Sequence, residues 1–94
     1  MKPIRLSHHA LIRAHERGAT EEEVRQAVLH GVRESARRGK WQARYRLPYG
    51  GRSPFDGMLY NEKAVEAVFA DEPNEIVVVT VKVFYRDQED LDED

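Results

Sequence analysis

The sequence predicts an α+β fold, in which two N-terminal helices pack on one face of an antiparallel sheet of three or four strands, in the order β-α-α-β-β-β. The first third of the chain contains two capped segments with apolar residues at helical spacing. The segments 41–47 and 76–85 are rich in β-branched and aromatic residues, which favour strands. Helices that precede the strands, instead of alternating with them, are typical of α+β domains.

A short edge strand and a helix are predicted at the start of the chain. The strand covers 2–6, since Pro3 is tolerated only near the start or the edge of a strand. The helix covers 8–17, because Ser7 is a favourable N-cap and Gly18 can end a helix in the left-handed conformation.

The second helix is predicted at 21–30. Its start is a capping box, in which the Thr20 hydroxyl accepts from the Glu23 backbone N–H and the Glu23 carboxylate reaches back to the Thr20 backbone. Its apolar residues recur at helical spacing: Val24, Ala27 and Val28. Because the connection between the two helices is short, we expect a compact pair packed on the sheet.

The middle of the chain is predicted as a basic connection, a strand and a loop. The connection is 33–40, and the strand is 41–47, whose polar face carries Arg44 and Arg46. Turn-forming residues fill 48–57, which predicts a long mobile loop.

The last two strands are predicted at 64–70 and 76–85, and the second of these has the strongest β signal in the chain. We expect it to be central in the sheet. The face predicted to contact the helices consists of Val77, Val79, Val81, Val83 and Tyr85. The opposite face consists of Ile76, Val78, Thr80, Lys82 and Phe84. Thr80 and Lys82 either serve a function there or simply face water on the open side of the sheet.

Length and composition predict one domain, residues 1–86, followed by an acidic tail at 87–94. The 94 residues have room for a single modest core. The chain contains no cysteine, which excludes a disulfide framework and a thiolate nucleophile. No apolar run approaches the roughly 20 residues of a membrane span, and the N-terminus lacks the apolar segment of a signal peptide. We therefore expect a cytoplasmic protein that does not bind membranes.

The net charge of −2 hides a strong asymmetry along the chain. Residues 1–52 contain 12 Lys and Arg against 5 Asp and Glu, whereas residues 53–94 contain 3 against 12. A basic half of this kind is typical of a nucleic-acid surface, which the total charge alone would have argued against.

One stripe of the first predicted helix combines a proton carrier with fixed positive charge. His9, Arg13 and Arg17 follow each other at intervals of four residues and so share one face. Histidine exchanges protons near neutral pH, and arginine binds phosphate oxygens in a fork. The stripe therefore suits a phosphate, although a solvated helix face paired with Glu16 would have the same composition.

These residues also carry a resemblance to a known family. The spacing His9-Ala10-x-x-Arg13-x-x-x-Arg17-Gly18, the capped second helix and the strand around Thr80 resemble the bacterial family catalogued as domain of unknown function 4258. That family is similar to the RelE and MqsR toxins, ribonucleases of toxin–antitoxin modules. The resemblance implies a RelE-like fold, metal-independent RNA cleavage and control by an antitoxin protein. His9, Arg13, Arg17 and Thr80 match family positions, whereas Lys82 stands where the family usually has an aromatic residue.

The first hypothesis is thus an endoribonuclease without a cofactor. His9 would act as general base or acid in attack by the ribose 2′-hydroxyl, and Arg13 and Arg17 would stabilise the charge on the pentacoordinate phosphate. Thr80 would donate a hydrogen bond to a phosphate oxygen. The residues expected to bind the RNA substrate, on or off the ribosome, are Lys82, Arg44 and Arg46.

Two other classes of function remain open. The second hypothesis is a non-catalytic domain that binds protein or RNA through its basic half, since arginine-rich surfaces bind phosphate backbones without base specificity. The third is a metal site built from histidines, namely His8, His9, His15 and His30. No recognised metal-binding motif contains them, so we predict no metal.

Overall fold

The computed structural model describes residues 2–87 and has two helices packed on one face of a five-stranded mixed sheet. The elements in chain order are β1 (Ile4–Leu6), α1 (His8–Arg17), α2 (Glu21–His30), β2 (Val32–Ser35), a 3₁₀ turn (Arg37–Gly39), β3 (Trp41–Arg52), β4 (Leu59–Asp71) and β5 (Ile76–Arg86). The strand order is β1-β5-β4-β3-β2. Within the described residues, no helix is long and apolar enough to cross a membrane. The predicted α+β class is confirmed.

The sheet has one strand more than the three or four predicted. The additional strand is β2, which lies in the segment predicted as a basic connection and pairs antiparallel with β3. All four residues of β2 are exposed, so the segment carries no alternation of buried and exposed positions that could reveal a strand. The sheet is also not wholly antiparallel, because β1 pairs with β5 in parallel.

Both helices have the predicted bounds and caps. The Ser7 hydroxyl accepts from the Ala10 backbone N–H at 3.1 Å, and Gly18 ends α1 with a φ of 83°. In α2 both hydrogen bonds of the capping box are present, at 3.1 and 2.9 Å between Thr20 and Glu23. Local sequence therefore determines where each helix begins, and the left-handed glycine turns the chain from α1 into α2.

The core lies between the helices and the sheet. Small residues of the helices, Ala10 and Ala14 of α1 and Ala27 of α2, allow close approach to the strands. The largest fully buried side chains are Phe69, Val24, Val65, Val78 and Val81. Burial of this apolar surface against the helices is what holds the two layers together.

The predicted loop 48–57 is wrong in its first half. Strand β3 runs on to Arg52, which pairs with Leu59 of β4, and only a tight turn between these residues remains irregular. The register shifts between Pro48 and Gly51, where the pairing with β4 is irregular. The turn formers were misleading because a bulge accommodates proline and glycine within a strand.

The two faces of β5 differ from the predicted alternation at one point. Val68 pairs with Thr80 and Phe69 pairs with Val78, so Val79 is an extra residue with no partner on β4. This bulge shifts the phase of the strand. Val81 and Val83 are buried as predicted, but Ile76 and Val78, not Val77 and Val79, are buried in the first half. Thr80, Lys82 and Phe84 lie on the open face, as predicted.

A buried polar cluster holds the connection between the helices against the sheet. The Tyr85 hydroxyl donates to the carbonyl oxygen of Arg17 at 2.6 Å, and burial raises the pKa of Tyr85 to about 12. The buried Lys63 ammonium donates to the Gly18 carbonyl oxygen at 3.0 Å and to the Glu23 carboxylate at 2.9 Å. These bonds satisfy carbonyl groups that the end of a helix leaves unpaired. The predicted acidic tail lies outside the described residues, apart from Asp87.

Candidate nucleic-acid interface

The functional candidates lie on the face of the sheet that the helices leave open. Paired residues form two rows across this face, Arg44–Glu66–Lys82 and Gln42–Val68–Thr80. Residues of the connection between β2 and β3 line one cleft with all three members of the second row. A 3₁₀ turn shapes this connection, in which Arg38 adopts a left-handed conformation with a φ of 58°. The turn therefore places consecutive basic residues beside the middle of the sheet.

The basic cleft is an open depression of about 480 Å³ between this turn and β5. Its walls are Ala36 and Val68, and its polar lining consists of Arg37, Arg38, Lys40, Gln42, Thr80 and Lys82. A neighbouring cleft of about 560 Å³ shares Lys40, but it is also lined by Glu72 and Glu75. Unlike this neighbour, the basic cleft combines several cations with neutral hydrogen-bonding groups, and none of the described residues that line it is a carboxylate.

The cations of the basic cleft have no partner among the residues that the structure describes. Within residues 2–87, the side chains of Arg37, Arg38, Lys40 and Lys82 make no hydrogen bond, ion pair or ring contact. The Thr80 hydroxyl and the Gln42 amide are likewise not engaged there. Positive charges brought together without a counter-charge produce a positive potential, which attracts anions. The cleft therefore has the charge and the donors of an anion site.

Arg44 and Arg46, predicted to bind RNA, lie on the open face but are paired with carboxylates of β4. Arg44 is 3.3 Å from Glu66, and its guanidinium stacks 4.3 Å from the ring centroid of Phe84. Arg46 donates to both oxygens of Glu62 at 3.0 and 3.1 Å. Glu62 and Glu66 are buried and need these partners, because a buried carboxylate without one is costly. Both arginines thus neutralise buried carboxylates within the sheet.

The predicted stripe on α1 exists, but its members have different surroundings. The His9 side chain is exposed, and Arg13 lies 3.3 Å from Glu16 in an exposed ion pair that contributes little. Arg17 is half-buried, and its Nη1 donates to the Val81 carbonyl oxygen at 2.6 Å. Arg17 therefore lies at the outer edge of β5, while His9 and Arg13 remain on the flank of the helix.

Apart from Arg44 and Arg46, the predicted site residues fall into two groups. Thr80 and Lys82 share the basic cleft, and Lys82 also lines a second cleft at the edge of β5 together with Arg17. His9 and Arg13 line neither of these clefts. Since α1 packs on one face of the sheet and Thr80 lies on the other, the structure does not bring His9 and Thr80 together.

Sequence reasoning missed four residues of the basic cleft: Arg37, Arg38, Lys40 and Gln42. The sequence shows the run of basic residues. It does not show that they form a turn between two paired strands, because β2 has no recognisable strand pattern. Three or more basic residues in a connection of hairpin length are the signal that could have found them.

No group of three or more His, Cys, Asp or Glu residues in the part of the chain described here is arranged to hold a metal ion. Comparisons with protein-family models, curated proteins and solved structures return no match.

Proposed function

We propose that this protein binds single-stranded RNA through its sugar–phosphate backbone, with the basic cleft as the principal phosphate site. The observation that carries the proposal is that four cations, which have no partner among residues 2–87, line one cleft together with Thr80. Arginine offers a planar fork that fits phosphate oxygens, and lysine adds a mobile point charge. Contacts of this kind position a nucleic acid without reading its sequence.

An extended polyanion fits this surface better than a single small phosphate. The cleft is open to solvent, and its cations come from the turn at one side and from β5 at the other. Lys82 extends the positive surface to the edge of β5, where Arg17 continues it. A chain of phosphates can therefore follow the cations around the edge of the sheet. Flexible single strands adapt to such a path more readily than a stiff duplex.

The resemblance of the two helices to domain of unknown function 4258, a family similar to RNA-cleaving toxins, supports a second candidate, an endoribonuclease whose antitoxin would be a partner protein. The specific observation in its favour is that His9 is exposed beside Arg13, on the same flank of α1 as Arg17. His9 would take the proton of a ribose 2′-hydroxyl, or protonate the leaving 5′-oxygen, while the arginines stabilise the added charge. In this reaction Thr80 would bind RNA and would not act at the reacting phosphate.

The binding proposal is tested by fluorescence anisotropy of a labelled single-stranded RNA at several salt concentrations in EDTA. Arg38→Ala and Lys82→Ala should each weaken binding, and each should reduce the slope of log K against log salt by about one. The matched control is Arg25→Ala, which removes an arginine of α2 on the opposite layer. Wild-type protein without salt-dependent binding, or cleft variants that behave like the control, would refute the proposal.

A further inference from the structure

A second cleft, at the outer edge of β5, combines aromatic rings with cations. Strand β1 ends opposite Val78, so in the described part of the chain no strand pairs with the outer edge of β5 beyond that residue. The open edge cleft there measures about 250 Å³. Its lining, which defines the edge cleft, is Arg17, Phe55, Lys82, Val83 and Phe84.

Phe55 is held in an exposed position by a structured turn. The turn is closed by hydrogen bonds from the Ser53 N–H to the Met58 carbonyl oxygen and from the Gly57 N–H to the Ser53 carbonyl oxygen, both 2.9 Å. Ser53 is buried, and its hydroxyl accepts from the Phe55 N–H at 3.1 Å. The Phe55 side chain is nevertheless 61% exposed, in edge contact with Tyr85 at 6.0 Å between centroids. An ordered ring that is left in water is pre-organised for a flat apolar ligand.

The opposite wall of the edge cleft is equally well fixed. The Arg44 guanidinium stacks on Phe84, which holds that ring against the sheet. Arg17 uses one of its five N–H donors for the Val81 carbonyl oxygen, and the others make no hydrogen bond within residues 2–87. Lys82 has no partner there and reaches both the edge cleft and the basic cleft. Two aromatic rings and two cations that could bind phosphate thus line the same cleft.

We infer that the edge cleft is a subsite for one unpaired nucleobase, which stacks on Phe55 and Phe84 while its phosphate lies against Arg17 and Lys82. The inference rests on the proposed function and adds a contact with a base to contacts with the backbone. An aliphatic peptide would use the rings but not the two cations, whereas a nucleotide uses both. Because every base has a stacking face, the subsite selects unstacked RNA without selecting its sequence.

The test compares two labelled ligands of equal length. One is 2′-O-methyl oligouridine, which cannot undergo attack by a 2′-hydroxyl, and the other is a ribose–phosphate oligomer without bases. Phe55→Ala should weaken binding of oligouridine about tenfold and leave binding of the base-free oligomer unchanged. Phe55→Trp should retain the affinity for oligouridine. The matched control is Met58→Ala, since Met58 is 60% exposed in the same turn but does not line the edge cleft.

The two proposals fail in different ways. The base subsite would be overturned if Phe55→Ala lowered the affinity for both ligands equally. It would also be overturned if Phe55→Ala and Met58→Ala bound oligouridine with the same affinity. If Arg38→Ala still weakens both ligands in that case, the proposed backbone binding stands and only the subsite is lost. Wild-type protein that binds neither ligand in a salt-dependent manner would overturn both.

Discussion

The hydroxyl of Tyr85, near the end of β5, donates a hydrogen bond of 2.6 Å to the backbone carbonyl oxygen of Arg17, the last residue of α1. This bond joins the C-terminal end of the helix to the strand whose edge the Arg17 side chain contacts. The position of the Arg17 guanidinium in the edge cleft therefore depends on a contact made by its own backbone.

We expect Tyr85→Phe to destabilise the protein by about 1–2 kcal/mol, since it leaves the Arg17 carbonyl oxygen half-buried without a partner. Urea denaturation measures the change in the free energy of unfolding. Tyr49→Phe is the control, because the Tyr49 hydroxyl donates to an exposed carbonyl oxygen of Arg52. Equal stabilities of the two variants would show that the Tyr85 bond contributes nothing.

Gly18→Ala should lower the free energy of unfolding by more than the about 1–2 kcal/mol that an alanine in the left-handed conformation costs. The backbone φ at Gly18 is 83°, and an added Cβ would lie 2.4 Å from the Tyr85 hydroxyl oxygen. Removal of that oxygen relieves the contact, so the effects of Gly18→Ala and Tyr85→Phe should not add. A double-mutant cycle from denaturation curves measures this coupling, and strict additivity would contradict the predicted contact.

The raised pKa of Tyr85 predicts a loss of stability in alkali. A tyrosine that ionises at about 12 in the folded protein and near 10 in the unfolded chain contributes a stabilisation that is complete below pH 10. The stabilisation is lost as the pH rises from about 10 to about 12, because the unfolded chain releases the proton first. Stability measured over this range should fall less steeply for Tyr85→Phe than for the wild type. If the stabilities of the two proteins fell in parallel with pH, the raised pKa of Tyr85 would be contradicted.

Thr80→Val should weaken RNA binding several-fold without a loss of stability. The substitution keeps the shape and the β propensity of the side chain but removes the hydroxyl that faces the basic cleft, and one neutral hydrogen bond contributes about 0.5–1.5 kcal/mol. Thr80→Ser keeps the hydroxyl and should retain affinity. Anisotropy titrations measure the RNA affinity of both variants. A Thr80→Val affinity equal to that of the wild type would exclude Thr80 from the phosphate site.

If the protein cleaves RNA, His9→Ala should reduce the rate by about 10²–10⁴-fold and leave the affinity for 2′-O-methyl RNA unchanged. The assay follows products from a labelled RNA pool in EDTA, where a cyclic phosphate end identifies attack by the 2′-hydroxyl. His15→Ala is the control, as an exposed histidine on a different face of α1. Wild-type protein that yields no products would refute the endoribonuclease candidate.

Local sequence signals predicted the two helices. The strands were predicted less completely, because strand pairing depends on residues far apart in the sequence. The caps at Ser7 and Thr20 are short-range features, so the sequence contains all that is needed to place both helices. Strand β2 is exposed on every residue and exists only through its pairing with β3. The Val79 bulge likewise depends on the register with β4, which single-residue preferences do not encode.

The dependence on strand pairing also explains which site residues could be predicted from the sequence. Thr80 and Lys82 stood out because polar residues in an apolar strand are unusual, and the structure places both on the open face. Arg44 and Arg46 looked available because their partners, Glu66 and Glu62, lie 22 and 16 residues further along the chain in another strand. Counter-charges so distant in sequence cannot be assigned until the strand pairing is known.

The hydrogen bond from Arg17 to Val81 also bears on association between molecules. The guanidinium occupies the place where a strand of another chain would present its own N–H, on an edge that β1 covers only at its beginning. An exposed strand edge is a template for aggregation, and a charged side chain over it is a common protection. Substitutions of Arg17 intended to reduce ligand affinity should therefore also promote self-assembly, which size-exclusion chromatography would reveal as a shift to larger species.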